Sequence, residues 1–233
     1  MMIGLILATA MHARVAVVTV TMGFRHASIP VAEETIASLA ERSGWFTPQF
    51  FRTESELAKF DPAAFDVVMF VNTTGELPLA DRDALVQWVR NGGTFVGIHS
   101  ASDTFHGFDD YIAMLGGEFD FHNEETSADV FVEDVTHPST GALPSPVTLF
   151  EEYYHFKRFD PARVHVLVAL HEAQPMPMSW WREEGRGRVF YTALGHREDV
   201  WRSPWFQQHL TGALAWAVAR EPGARRRAVT RSR

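Results

Sequence analysis

Three short runs, Ala13–Thr21, Phe65–Val71 and Thr94–Ile98, are apolar and rich in β-branched residues, with no polar face to turn towards water. Strands of that kind must be covered on both sides, as in a parallel sheet sandwiched between helices. Amphipathic stretches fall between them. Ile29–Arg42 carries Val31, Thr35, Ile36 and Leu39 at helical spacing, with Ser28 as a candidate cap, Pro30 in the first turn and Gly44 at the end. Thr47–Phe51 reads as an outer strand and Glu54–Phe60 as a short helix. Pro78–Arg90 reads as a helix with Leu79, Leu85, Val86 and Val89 inward, closed by Asn91-Gly92-Gly93. The resulting β-α-β-α-β-α-β order predicts an α/β, doubly wound parallel sheet with helices on both faces.

The second half is less regular. Tyr111–Leu115 fits a helix ending at Gly116-Gly117, and Glu118–His122 and Ala128–Glu133 fit strands. His137-Pro138 opens a loop rich in Pro, Ser and Thr. Val164–Leu170, Pro177–Trp181 and Arg188–Ala193 suggest an antiparallel extension of the sheet, and Trp205–Ala219 a closing helix. One domain over residues 12–219 is expected, with residues 1–11 and 220–233 as flexible termini. Met1–Ala10 is apolar but lacks the positive n-region of a signal peptide, and it reads as an upstream start or a frayed N-terminus before a true start near Met11.

A net charge of -8 argues against nucleic acid and anionic membranes as partners. With no cysteine in the chain, disulfides, thiolate metal sites and cysteine nucleophiles are all excluded. No stretch is long enough to span a membrane, so a soluble, cytoplasmic protein is expected; homo-oligomer formation is left open.

Open α/β sheets bind ligands in the crevice beyond the carboxyl ends of their strands. Four expected strand ends each present polar side chains there: Arg25 and His26; Thr74 and Glu76; His99 with Ser100 and Asp103; and His196 with Glu198. Taken singly, each histidine has a plainer reading as a capping or core hydrogen-bonding group. Four of four strand ends, three of them with histidine, is a more specific pattern. Gly93–Asp103 is its centre: His99 stands at the strand-to-helix turn where nucleophile-elbow enzymes hold a Ser or Cys.

These residues also carry a family likeness. Gly23-Phe24-Arg25-His26, Asn72-Thr73-Thr74-Gly75-Glu76, Gly97–Asp103, Leu115–Phe119 with His122, His137-Pro138, Glu151–Tyr154, Pro177–Trp180 and Gly187–His196 occur in order over about Arg14 to Ala219. The set resembles the trehalose-utilisation (ThuA-like) family. That resemblance implies a flavodoxin-like sheet of the class I glutamine amidotransferase type. It also puts His99 in place of the amidotransferase cysteine, and His196-Arg197-Glu198 in place of its His-x-Glu. Without a thiol no glutamyl thioester forms, so glutamine amidotransfer is not expected.

The resemblance implies a small-molecule sugar as substrate, trehalose or a related keto-sugar, and the function expected is an isomerase-, lyase- or hydrolase-type reaction on it. His99 and His196 act as general acid and base. Glu198 orients His196 and Asp103 orients His99. Arg25, His26, Thr74, Glu76, Ser100, His122 and Tyr154 bind the substrate. A variant makes His26, His99, His122 and His196, with a carboxylate, ligands of a divalent metal such as zinc. No His-x-His or His-Glu-x-x-His spacing supports it, so the reading with no cofactor ranks first. The remaining alternative is a non-catalytic sugar-binding or regulatory module.

Overall fold

A computed structural model describes residues 12–219; the two expected flexible termini lie outside the described residues. In chain order the elements begin with β1 (Ala13–Val18), α1 (Ile29–Ser43), β2 (Phe46–Phe51), α2 (Glu54–Leu57), β3 (Val67–Val71), α3 (Arg82–Arg90) and β4 (Thr94–Ile98). A 3-10 turn over His99–Asp103 leads to α4 (Asp109–Leu115), β5 (Glu118–His122), β6 (Thr126–Val132), β7 (Val147–Glu151) and β8 (Tyr154–Lys157). The chain ends with β9 (His165–His171), β10 (Pro175–Glu184), β11 (Gly187–Thr192), α5 (Glu198–Arg202) and α6 (Pro204–Val218).

Nine strands form one sheet in the order β2-β1-β3-β4-β11-β10-β9-β6-β7. The first five are parallel, and the rest of the sheet is antiparallel from the β11–β10 pair onward. The apolar runs do what their composition requires: every residue of β3 and of β4 is buried. α1 carries the chain from β1 to one side and α3 from β3 to the other. With right-handed crossovers at both, the two helices fall on opposite faces. Accordingly α1 contacts α5 and α6, whereas α3 contacts α4. The strand order reverses between β1 and β3, which makes their carboxyl ends the expected ligand crevice. This is the mixed α/β architecture expected, antiparallel extension included.

Several boundaries differ from the sequence reading for local reasons. α3 begins at Arg82 rather than Pro78 because the Asp81 side chain accepts the Ala84 N–H at 2.9 Å and caps the helix there. The helix expected over Glu54–Phe60 stops after one turn, set by a capping box between Thr53 and Glu56. β7 falls at the end of the Pro-, Ser- and Thr-rich stretch taken for a loop, and β5 pairs with β8 in a separate ribbon. Ser28 precedes α1 but does not cap it with its side chain, which turns into the crevice instead.

α6 lies so close to the loop after His137 that a Cβ on Gly212 would stand 2.1 Å from the Pro138 carbonyl oxygen. Beneath it His209 is fully buried, its Nδ1 bonded to the Ser139 carbonyl oxygen at 3.0 Å. Burial lowers its pKa to about 4. Among the described residues no helix is long and apolar enough to cross a membrane.

The buried, neutral His209 generates a pH prediction. Below its ordinary pKa the unfolded chain binds a proton there that the folded chain does not. Stability present above about pH 6.5 is therefore lost as pH falls towards 4, by about 1.4 kcal/mol per pH unit from this one group. In denaturant unfolding between pH 6.5 and 4.5, His209→Gln should flatten the stability-versus-pH slope by about one proton. An unchanged slope would show that His209 is not held neutral.

Candidate functional site

His99 is delivered by β4. Its backbone is left-handed, φ 51°, a conformation few non-glycine residues adopt and one found at strained functional turns. The turn is fastened by the Tyr191 hydroxyl, which donates to the His99 carbonyl oxygen at 2.7 Å. Gly97, one residue before the end of β4, leaves room for that packing; a Cβ there would meet Leu115 at 2.9 Å and Tyr191 at 3.0 Å. β11 lies beside β4 with Thr192 opposite Ile98, so Ala193 to His196 run out next to His99. His26 comes from the loop after β1. The fourth member, Glu152, lies between β7 and β8.

One ligand atom from each of His26, His99, His196 and Glu152 lies within 4.8 Å of the others. His99 Nε2 is 3.2 Å from His26 Nε2, 3.3 Å from His196 Nδ1 and 3.4 Å from Glu152 Oε2. His196 Nδ1 is 3.2 Å from Glu152 Oε2. The outer atoms are engaged elsewhere. His99 Nδ1 donates to the Ala193 carbonyl oxygen at 2.7 Å, so a neutral His99 turns its Nε2 lone pair inward. His196 Nε2 donates to Glu125 at 3.0 Å, so a neutral His196 turns Nδ1 inward. His26 Nδ1 lies 3.4 Å from the Ser100 hydroxyl. The second oxygen of Glu152 is held by His122 Nδ1 at 3.1 Å. Tyr154 covers His99, ring centroids 4.3 Å apart.

Burial, and after it repulsion from His99 and His196, lowers the pKa of His26 to about 2. Burial lowers His99 too. It is the largest single influence on His196 and Glu152 as well and opposes charge on both, but their hydrogen bonds and the surrounding opposite charges together outweigh it: His196 is raised, and Glu152 is held well below the usual carboxylate range. The centre thus presents two imidazoles whose charging is disfavoured, a third whose charged form is favoured by the carboxylate beside it, and that carboxylate. Such a set of inward-facing nitrogens and one oxygen could hold a metal ion, which would displace any proton from His196 Nδ1.

Behind the cluster lies a second buried carboxyl. Glu151 accepts the Gly195 N–H at 2.9 Å on one oxygen and the Glu152 N–H at 3.0 Å on the other; burial raises its pKa to about 7. The Gly195 carbonyl oxygen in turn accepts from Asn72 Nδ2 (2.9 Å), Trp201 Nε1 (2.8 Å) and Ser28 Oγ (3.4 Å). With φ 113°, Gly195 occupies a conformation that favours glycine.

Of the residues picked from sequence, the structure brings His26, His99, His196, Ser100, His122 and Tyr154 together. The others stand apart from the cluster. Asp103, expected beside His99, lies within the 3-10 turn and bonds His106 at 2.6 Å. Glu198, expected on His196, points out of the first turn of α5 to Arg202 at 2.8 Å; Glu125 and Glu152 hold His196 instead. Glu76 pairs with Arg82, and Arg25 donates to the Thr19 carbonyl oxygen. Thr74 is buried and ties the loop after β1: its hydroxyl accepts the Gly23 N–H and donates to the Phe24 carbonyl oxygen. The sequence gives no role to Glu125 or Asn72, and Glu151 and Glu152 read there only as part of a polar wall beside Tyr153, Tyr154 and His155. The adjacent carboxylates of Glu151-Glu152 in a polar aromatic run were the available signal.

Fold and site together define a flavodoxin-like α/β protein with a histidine–glutamate cluster at the carboxyl edge of its parallel strands. The family described as trehalose utilisation (ThuA) matches residues 14–217, and the chain belongs to that family. A ThuA-like protein from Bacteroides uniformis superposes with a TM-score of 0.74 at 19% identity, covering 92% of this chain and 94% of that one. One from Parabacteroides merdae gives 0.74 at 16%, covering 89% and 90%. A β-galactosidase from Bacillus circulans gives 0.62 at 12% identity; 89% of this chain aligns with 31% of that longer one. At such identities the likeness describes the fold. No curated protein matches the chain in sequence.

The two oxygens of Glu151 serve two different N–H groups, and a glutamine offers only one acceptor. Glu151→Gln should therefore lose about 1–3 kcal/mol of stability in urea unfolding. A variant as stable as the parent would show that Glu151 does not hold the Gly195 and Glu152 backbones.

Proposed function

We propose that this protein is a cation-dependent enzyme of carbohydrate utilisation, with His26, His99, His196 and Glu152 as ligands of one divalent transition metal ion such as zinc. The observation that carries the reading is the set of inward-facing donor atoms. At zinc bond lengths of 2.0–2.1 Å, the edges of a tetrahedral ligand set are about 3.3–3.4 Å long. Four of the six separations in this set are 3.2, 3.2, 3.3 and 3.4 Å, and the two others, both to His26, lie within 4.8 Å. Outer-shell bonds of His99 to a carbonyl and His196 to a carboxylate are the kind that orient metal-bound imidazoles. With no thiol in the chain, the nitrogen and oxygen set suits a first-row divalent ion.

A cation held there would act as a Lewis acid on a carbonyl or hydroxyl oxygen of the substrate. The protein's own groups do the rest. Glu151 and Asn72 hold the backbone that carries His196, and His122 fixes the second oxygen of Glu152. A sugar substrate, trehalose or a keto-sugar related to it, is supported by the family and by the polar rim of Glu125, Arg197, His122 and Asn123. Glutamine amidotransfer stays outside this chemistry, because an imidazole stands at the elbow and the chain has no cysteine.

A second reading, acid–base catalysis without a metal, is favoured by one observation. Glu152 favours the charged form of His196, which suits it to give up a proton, while burial disfavours charge on His99 3.3 Å away, which suits it to stand as the neutral partner.

Elemental analysis decides between them. Protein expressed with zinc, manganese or iron and freed of loosely bound ions should retain about one equivalent per chain. His99→Ala should retain less than roughly a tenth of that, and bound metal should raise the Tm of the parent protein. Failure of all three metals to bind stoichiometrically would overturn the metal reading and leave the acid–base one.

A further inference from the structure

Large exposed apolar side chains are few among the described residues: Met22, Phe24, Phe121, Val135 and Phe150. Two of them flank the histidine–glutamate cluster. Phe24 is 66% exposed and stands perpendicular to the His26 ring, centroids 4.9 Å apart. Phe150 is 42% exposed, with the Arg197 guanidinium 4.7 Å from its ring centre. Arg197 also bonds Glu125 at 2.6 Å, Glu125 bonds His196, and the His196 and His26 rings are 5.1 Å apart. A continuous line of contacts therefore runs from Phe150 through Arg197, Glu125, His196 and the buried His26 to Phe24. Aromatic rings stand at both ends, and guanidinium, carboxylate and imidazole groups lie between.

Phe24 is not on a loose loop. Met22 N–H donates to the Thr74 carbonyl oxygen at 2.9 Å, and the Thr74 hydroxyl bonds both Gly23 N–H (3.1 Å) and the Phe24 carbonyl oxygen (2.9 Å). A Cβ on Gly23 would meet that hydroxyl at 3.2 Å. A large side chain kept in water by a fixed backbone, next to a buried polar centre, is arranged for a ligand rather than for the core. The ligand it fits has an apolar face and a hydroxyl-bearing edge. A pyranose ring has both: its axial C–H groups lie against an aromatic face, and its equatorial hydroxyls meet carboxylate and guanidinium groups at the rim.

We propose that Phe24 is the stacking platform for a pyranose ring bound beside the cluster, and that the Glu125–Arg197 pair, farther along the line, hydrogen-bonds hydroxyls of a saccharide long enough to reach it. Phe24 is then a specificity-determining residue that selects cyclic sugars over open-chain polyols. The inference rests on the proposal that the cluster acts on a sugar.

The test uses the full-length protein, loaded with zinc, with trehalose, glucose and the open-chain polyol sorbitol as probes in calorimetric titration. The parent should bind trehalose or glucose more tightly than sorbitol. Phe24→Ala should weaken sugar binding roughly tenfold with zinc content unchanged, whereas Phe24→Trp should keep the affinity and show a sugar-dependent change in indole fluorescence. If the parent binds sugars and Phe24→Ala binds them equally well, the platform is wrong and the sugar reading stands. If the parent binds neither sugar, the sugar reading falls and the platform with it. Equal loss of binding in Phe24→Trp and Phe24→Ala would also overturn stacking, since an indole is a larger platform than a phenyl ring.

Discussion

The parallel pairing of β4 with β11 is the contact on which the site depends. It sets Thr192 opposite Ile98, so two segments almost a hundred residues apart in sequence leave the sheet side by side. From that register follow the bond between His99 Nδ1 and the Ala193 carbonyl, the 3.3 Å approach of His99 to His196, and the lodging of Gly195 against Asn72. A slip of one residue would turn every side chain of β11 to the opposite face of the sheet and separate the two histidines. Tyr191 stands on β11 and fastens the turn that follows β4, so the same strand places one histidine and pins the other.

Electrostatics explains why the cluster tolerates its own proximity. Three imidazoles drawn together repel one another once charged, and burial withholds the water that would screen them. The protein answers by keeping His26 and His99 neutral and by supplying the charged carboxylate of Glu152 to the third ring. The net charge of -8 sets this balance within an acidic molecule, favourable surroundings for a cation.

The parallel half of the fold was legible because strands buried on both faces have no polar residues, and the polarity returns abruptly where they end. That abrupt return marks His26, His99 and His196 in the sequence itself. Direction was not legible. Asp103 and Glu198 are near the right histidines in sequence, but a 3-10 turn aims one at His106 and the first turn of α5 aims the other at Arg202. Glu152 escaped for another reason. It stands between two strands of different sheets, and its meeting with His99 depends on long-range pairings that no local pattern encodes.

The Gly195 peptide makes the site sensitive at a distance. Three side chains from three segments converge on its carbonyl oxygen, and its own N–H is bound by Glu151. The backbone that carries His196 is thereby held on both of its hydrogen-bonding sides. A substitution at Ser28, Asn72 or Trp201 would therefore reach the cluster through a shared peptide, without removing any of the four side chains that compose it.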